Sequence, residues 1–152
     1  MAKREVSGLE DHIGYWLRFV SNHVSHAFSE KVEGRGVTVA EWVLLRQLRA
    51  SGPVAPSRLA AEMGMTRGAV SKLIDRLCEK ALVERSAGDV DRRYQSVTLT
   101  PQGAELVPAL ARLADENDAE FFGHLATKDR ALLARLLQDV VRRNGWKDLP
   151  VQ

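Results

Sequence analysis

Residues 67–76 include three basic side chains and two small residues at a spacing that suits contact with double-stranded DNA. Arg67 stands at the beginning of this segment, where a guanidinium can form two parallel hydrogen bonds with O6 and N7 of guanine. Gly68 and Ser71 allow close approach to the base edges. Lys72 and Arg76 lie further along and suit phosphates, which position a protein without specifying sequence. The alternative is a surface helix whose charges are only solvated.

These side chains need a helix that holds them on one face, and the apolar residues between them predict it. An apolar stripe at i, i+3, i+4 and i+7 would face the rest of the domain: Val70, Leu73, Ile74 and Leu77. Ala60 is small enough for a crossing helix, and Gly64 stands where a turn needs positive φ. Thr66 can accept the N-cap hydrogen bond that begins the second helix. The spacing predicts a helix-turn-helix.

Two short apolar–polar alternations, 82–85 and 96–100, predict a β-hairpin after this helix. The polar loop between them carries Arg92 and Arg93, and paired guanidinium groups suit a narrow minor groove. Asp91 is expected to pair with a neighbouring arginine or to bond the loop backbone. A structural hairpin with solvated arginines is the alternative.

The segment Asp91–Gly103 resembles the wing signature of the MarR family of regulators, in which Asp-x-Arg is followed by Leu-Thr-x-x-Gly. Val39–Leu45 resembles the beginning of that family's second helix, and Leu59–Leu77 resembles its helix-turn-helix. The resemblance extends from about residue 9 to about residue 144. It implies a dimeric transcriptional regulator of double-stranded DNA, with a small anionic or phenolic effector bound near the junction of the dimer helices and the winged region.

The net charge of the chain is only +2, so the positive charge that contacts DNA must be concentrated in a local patch. A focused patch suits a site-specific binder better than a general nucleic-acid coat. The expected contacts are Ser57, Arg58, Thr66, Arg67, Gly68, Ser71, Lys72, Arg76, Asp91, Arg92 and Arg93.

The two ends of the chain predict helices with more apolar surface than a small winged core needs. Leu9, Ile13 and Trp16 begin one stripe, and Leu132–Val141 carries another in a helix that Thr127 can cap. Such stripes mark partner surfaces, and a second copy of the chain is the simplest partner. The expected fold is mostly α, a winged helix-turn-helix with a small β-hairpin wing in one compact domain. Residues 37–100 would bind DNA, and residues 1–36 and 101–152 would form the helical dimerisation region.

A small aromatic or anionic effector needs aromatic walls and a cation, and the first helix offers both. The candidates are His12, Tyr15, Trp16, Arg18 and Phe19. The alternative is that the aromatic rings are core residues and the arginine is solvated. Two other sensing mechanisms have weaker support in the sequence. The lone Cys78 could act as a thiol switch, and His23 with His26 could form part of a metal site.

Composition excludes several classes of protein. The chain has 152 residues, of which 45% are hydrophobic, and none of its apolar runs approaches the roughly 20 residues of a membrane span. The N-terminus has no apolar signal segment, so we expect a cytoplasmic protein without membrane association. The sequence has no nucleophile with a base, no phosphate-binding loop and no metal motif, so we expect a non-enzyme without cofactors.

Repression by promoter occlusion is the expected mode of regulation, and activation by surface contact is the alternative.

Overall fold

The computed structural model describes residues 6–87 and 95–151, which form a helical chain with one β-hairpin. In order, the elements are a 3-10 helix at Leu9–Asp11, α1 (Ile13–Glu33), α2 (Val39–Ser51), α3 (Pro56–Met63), α4 (Arg67–Glu79), β1 (Val83–Ala87), β2 (Gln95–Leu99), α5 (Pro101–Phe122) and α6 (Thr127–Asn144). This order confirms the predicted winged helix-turn-helix between terminal helices. Within the described residues, no helix is long and apolar enough to span a membrane.

The helix-turn-helix consists of α3 and α4, and its local signals are those that the sequence predicts. Gly64 ends α3 in the left-handed conformation, with φ 64° and ψ 30°. Thr66 begins α4, because its hydroxyl oxygen accepts a hydrogen bond from the Ala69 backbone N–H at 3.1 Å. Ala60 is only 3% exposed, so a larger side chain there would push the two helices apart.

The wing is an antiparallel pair of strands, with Val83 opposite Leu99 and Ala87 opposite Gln95. Its strands agree with the predicted hairpin to within two residues. The sequence did not predict that Val54, in the loop before α3, would form two backbone hydrogen bonds with Val97, at 3.2 and 2.8 Å. Both side chains are buried. This bridge ties the base of the wing to the segment that begins α3.

The helix after the wing begins in close contact with the end of the α4–β1 connection. The Thr100 hydroxyl donates to the Ala81 carbonyl at 2.6 Å and accepts from the Gly103 N–H at 3.0 Å. A Cβ atom at Gly103 would overlap the carbonyl oxygen of Leu82. The threonine and glycine of the Leu-Thr-x-x-Gly pattern therefore cap α5 and allow its close packing.

One hydrophobic core lies inside the winged region, and the first half of α5 packs into it. Its larger members come from α2, α3, α4 and α5: Leu44, Leu45, Leu48, Leu59, Met63, Ile74, Leu77 and Leu110. A charged pair lies at its edge, where Glu41 is 1% exposed and accepts from Lys80 Nζ at 2.7 and 3.1 Å. Lys80 also donates to the Gly36 carbonyl at 2.8 Å. This group fixes the end of α4 against the beginning of α2.

The terminal helices leave most of their apolar surface uncovered within one chain. In α1 only Val32 is buried, and in α6 no residue is buried. The exposed apolar side chains of α6 are Leu132, Leu133, Leu136, Leu137, Val140 and Val141. Two predicted helix ends were wrong by a few residues. The extended His12 separates the 3-10 helix from α1, and Ala126 occupies the N-cap position of α6 instead of Thr127.

Candidate nucleic-acid interface

Helix α4 separates an apolar face from a polar one, as the sequence predicts. Val70, Leu73, Ile74 and Leu77 are buried against the winged core. Arg67, Gly68, Lys72 and Arg76 are exposed, and Ser71 is half-buried. The buried stripe sets the rotation of the helix, so the basic side chains point away from the core.

An open groove of about 860 Å³ runs between the beginning of α4 and the wing. Four of the predicted DNA contacts line it: Ser57, Arg67, Gly68 and Ser71. The opposite wall consists of Arg85, Gln95 and Ser96 from the two strands. The groove therefore carries two guanidinium groups, one from the helix and one from the hairpin.

Arg85 is a residue of this groove that the sequence analysis missed. Its guanidinium donates to Asp75 Oδ1 at 2.7 Å and to Ser71 Oγ at 3.4 Å, so it bridges β1 to the polar face of α4. The pairing neutralises Asp75, and the other acidic side chain of α4, Glu79, lies at the end of the helix. Strand alternation places Arg85 on the same face as the buried Val83, toward α4, but only the packing of the hairpin against α4 selects its partner.

Two predicted contacts also have partners inside the chain. Arg58 Nε lies 3.0 Å from Glu62 Oε1, one helical turn along α3. Glu62 also accepts from Gln47 Nε2 at 2.9 Å, and this hydrogen bond, followed by the one from Arg58, lowers the pKa of its carboxyl. Thr66 Oγ1 is occupied in the N-cap of α4. Lys72 and Arg76 are exposed and form no ion pair with any described residue.

The tip of the wing lies outside the described residues. The strand pairing extends to Ala87 and Gln95, which supports a hairpin connection at the predicted place. The predicted contacts Asp91, Arg92 and Arg93 fall in the undescribed segment, and their role stays a prediction.

The five predicted effector residues lie near one another at the beginning of α1, and most of them are exposed in the single chain. Tyr15 packs edge-to-face on Trp16, with ring centroids 5.2 Å apart, and lies 6.3 Å from the ring of Phe19. Tyr15 is half-buried, whereas His12, Trp16, Arg18 and Phe19 are exposed. These residues are therefore an uncovered aromatic cluster rather than core, and their ligand-binding role stays a prediction.

The residues of the two alternative sensors contact neighbouring side chains of the same chain. The His23 ring lies 5.0 Å from the Phe19 ring, and His26 Nε2 lies 3.2 Å from Glu30. Among the described residues, no three His, Cys, Asp or Glu side chains converge as metal ligands. Cys78 is half-buried at the end of α4 and packs against the core.

Known proteins share both the sequence pattern and the fold. A sequence model described as MarR family matches residues 35–93. The chain is 25% identical to the HTH-type transcriptional repressor NicR of Pseudomonas putida over 86% of this chain and 83% of that protein. It is 32% identical to the HTH-type transcriptional repressor MdtR of Bacillus subtilis over 71% of this chain and 60% of that protein.

A solved structure of BpsR from Bordetella bronchiseptica, which concerns regulation of its DNA binding by 6-hydroxynicotinic acid, superposes with a TM-score of 0.75. Its sequence is 26% identical, and the match covers 90% of this chain and 97% of that chain. The chain belongs to the MarR family of DNA-binding transcriptional regulators, whose fold and function are those of regulators rather than enzymes.

Proposed function

We propose that this protein is a homodimeric repressor that binds a palindromic operator and is released from it by a small aromatic or anionic effector. Residues 37–100 bind DNA, and residues 1–36 with 101–152 join the two copies. The observation that carries the proposal is the groove beside α4, which Arg67 and Ser71 of the helix line together with Arg85 of the wing.

The dimer is supported by the uncovered apolar faces of α1 and α6. Leu136 is 51% exposed and Val140 50% exposed on α6, and Ile13 is 78% exposed on α1. A water-soluble monomer rarely leaves such contiguous apolar surface bare. A two-fold axis lets the same two helices of each copy cover those of the other. Two α4 helices then face DNA about one helical turn apart, roughly 10 base pairs.

The effector is supported by one relative, because the BpsR structure concerns control of DNA binding by 6-hydroxynicotinic acid. Repression is supported by NicR and MdtR, which are named as repressors. A dimer on its operator would exclude polymerase by occupancy alone.

DNA binding is tested with a duplex from upstream of the protein's own gene and a scrambled duplex, across a salt series. We expect a preference on the order of a thousandfold for the upstream DNA, with two chains bound per site. Equal and salt-sensitive binding to both duplexes would contradict site-specific recognition of that region, since it would reflect phosphate contacts alone.

Two variants of α4 separate base contact from phosphate contact. Arg67→Ala should weaken binding to the preferred DNA by about 1–3 kcal/mol and relax the preference at one base position. Lys72→Ala should weaken preferred and scrambled DNA alike and reduce the salt slope by about one. If Arg67→Ala also weakened both duplexes equally, the guanidinium would contact only phosphate.

A further inference from the structure

Three hydrogen-bonded side chains connect α2 to the polar side of α3: Gln47, Glu62 and Arg58. Gln47 Nε2 donates to Glu62 Oε2 at 2.9 Å, and Arg58 Nε donates to Glu62 Oε1 at 3.0 Å. Each oxygen of the carboxylate therefore has its own donor. Because the two donors come from different helices, the carboxylate cannot rotate without breaking one of these bonds. The group thus holds Glu62 in one orientation, and Glu62 in turn holds Arg58.

The buried side of α3 sets the place of Arg58 on the surface. The helix buries Leu59, Ala60 and Met63, so the i, i+4 pair of Arg58 and Glu62 lies on a side that the core does not cover. The Arg58 side chain is 72% exposed and that of Glu62 28%. The residue before Arg58, Ser57, lines the groove beside α4. Arg58 therefore extends from the border of the surface that is expected to face DNA.

The guanidinium of Arg58 is held through Nε alone. Among the residues that the structure describes, neither Nη1 nor Nη2 forms a hydrogen bond or an ion pair. These two nitrogens can donate parallel hydrogen bonds to two oxygens of a phosphate. A free arginine loses rotamer freedom when it binds, and this loss weakens association. The hydrogen bond to Glu62 restricts Arg58 before any phosphate arrives, so less freedom remains to be lost.

The carboxylate of Glu62 has two effects of opposite sign on DNA binding. The hydrogen bond from Gln47, followed by the one from Arg58, lowers the pKa of this carboxyl, so the group is negatively charged near neutral pH. By charge alone, a carboxylate close to the phosphate backbone weakens association. By orienting Arg58, the same carboxylate strengthens it. Removal of Glu62 therefore shows by its sign which effect is larger.

We propose that Arg58 binds a backbone phosphate beside the groove, and that Glu62, held by Gln47, is the positioning residue that orients its guanidinium. The orienting effect of Glu62 is larger than the repulsion from its charge. A phosphate contact carries no sequence information, so Arg58 fixes the register of α3 on the duplex while Arg67 contacts base edges. The proposal rests on the proposed function, because it needs α4 to lie on double-stranded DNA.

The test compares wild type, Arg58→Ala, Glu62→Ala and the double variant on the upstream and scrambled duplexes, by fluorescence anisotropy across a salt series. Arg58→Ala should lose about fivefold in affinity for both duplexes at about 0.15 M salt, and its salt slope should fall by about one. Glu62→Ala should lose about threefold on both duplexes, because Arg58 is no longer oriented. The double variant should bind no more weakly than Arg58→Ala, since Glu62 acts only through Arg58.

Two further variants keep the test independent of folding, and melting temperatures are measured for all of them. Gln47→Ala removes the donor to Glu62 and leaves the charge in place, so it should lose affinity in the same direction by a smaller factor. Asp139→Ala is the matched control, because it removes a carboxylate from Arg142 in the same way, but on α6. Its DNA affinity should equal that of wild type.

Two results overturn the proposal. Affinity of Glu62→Ala equal to or higher than that of wild type means that the carboxylate does not orient a phosphate contact. A loss that persists when Arg58 is already alanine means that Glu62 acts on the fold of α3 and not through Arg58. Failure of wild type to bind either duplex overturns the proposed regulator itself. Tight binding by wild type with unchanged affinity in the Arg58 and Glu62 variants overturns only this contact.

Discussion

The strongest test of the architecture is a single truncation on the uncovered face of α6. Leu136 is 51% exposed in the isolated chain, so about half of its side chain remains to be buried by a partner. Full burial of a leucine contributes about 1.5–3 kcal/mol. Half of that is about 1 kcal/mol per side chain, and a two-fold dimer counts it twice. Leu136→Ala should therefore weaken the dimer by about 2 kcal/mol, or roughly 30-fold in its dissociation constant.

The dissociation constant is measured by sedimentation equilibrium over a range of protein concentrations. Gln138→Ala is the matched control, because Gln138 is exposed on the opposite face of the same helix. The same dilution series on DNA should show that Leu136→Ala loses affinity at low protein concentration and recovers it at high concentration. If Leu136→Ala and Gln138→Ala both dimerise like wild type, α6 does not form the interface and the reasoning fails.

Three further variants test the packing that positions the interface. Gly103→Ala should lower the free energy of unfolding by about 1–3 kcal/mol in urea titration because the new Cβ overlaps a backbone carbonyl. Gly68→Ala should not lower the free energy of unfolding, because no neighbouring heavy atom lies within 4 Å of the position of the new Cβ. Lys80→Met should cost about 3–5 kcal/mol by leaving the buried Glu41 carboxylate unpaired, and adding Glu41→Gln should recover part of the loss. Glu62→Gln should destabilise near neutral pH, and its difference from wild type should vanish in acid. A carboxyl whose pKa falls on folding stabilises fully above its unfolded value, about 4.3, and loses that contribution as the pH falls through its lowered pKa.

The elements of the interface were predictable because their signals are local. An N-cap threonine, a left-handed glycine and an apolar stripe each act within one or two helical turns, so Gly64, Thr66 and the α4 stripe are visible in the sequence. The wing was predictable for the same reason, since its strands alternate with period two. The predicted N-cap of α6 was Thr127, which is wrong by one residue because Ala126 occupies that position. The choice between these adjacent residues depends on where the preceding loop ends.

The pairing of charges between elements was not predictable, because it depends on distances between elements that are remote in the chain. Arg58 pairs with Glu62 one turn along α3, which is a local i, i+4 contact, whereas the place of Arg67 on the open groove depends on how the wing packs beside α4. Arg85 lies on the same face of β1 as Val83, and its pairing with Asp75 follows only from the packing of the hairpin beside α4. Nearest-neighbour patterns carry no information about such partners.

The sequence by itself determined the order of the elements, the face of α4 that carries the basic side chains, and the family. These follow from periodicity, capping and a motif whose residues lie close together along the chain. Only the tertiary structure decided that Arg85 pairs with Asp75, that Gly103 must lie against the Leu82 carbonyl, and that Leu149 and Val151 line a cavity beside α2. Each of these depends on how elements that are remote in the chain pack together, because burial and pairing across elements are properties of the packed molecule and not of any one segment.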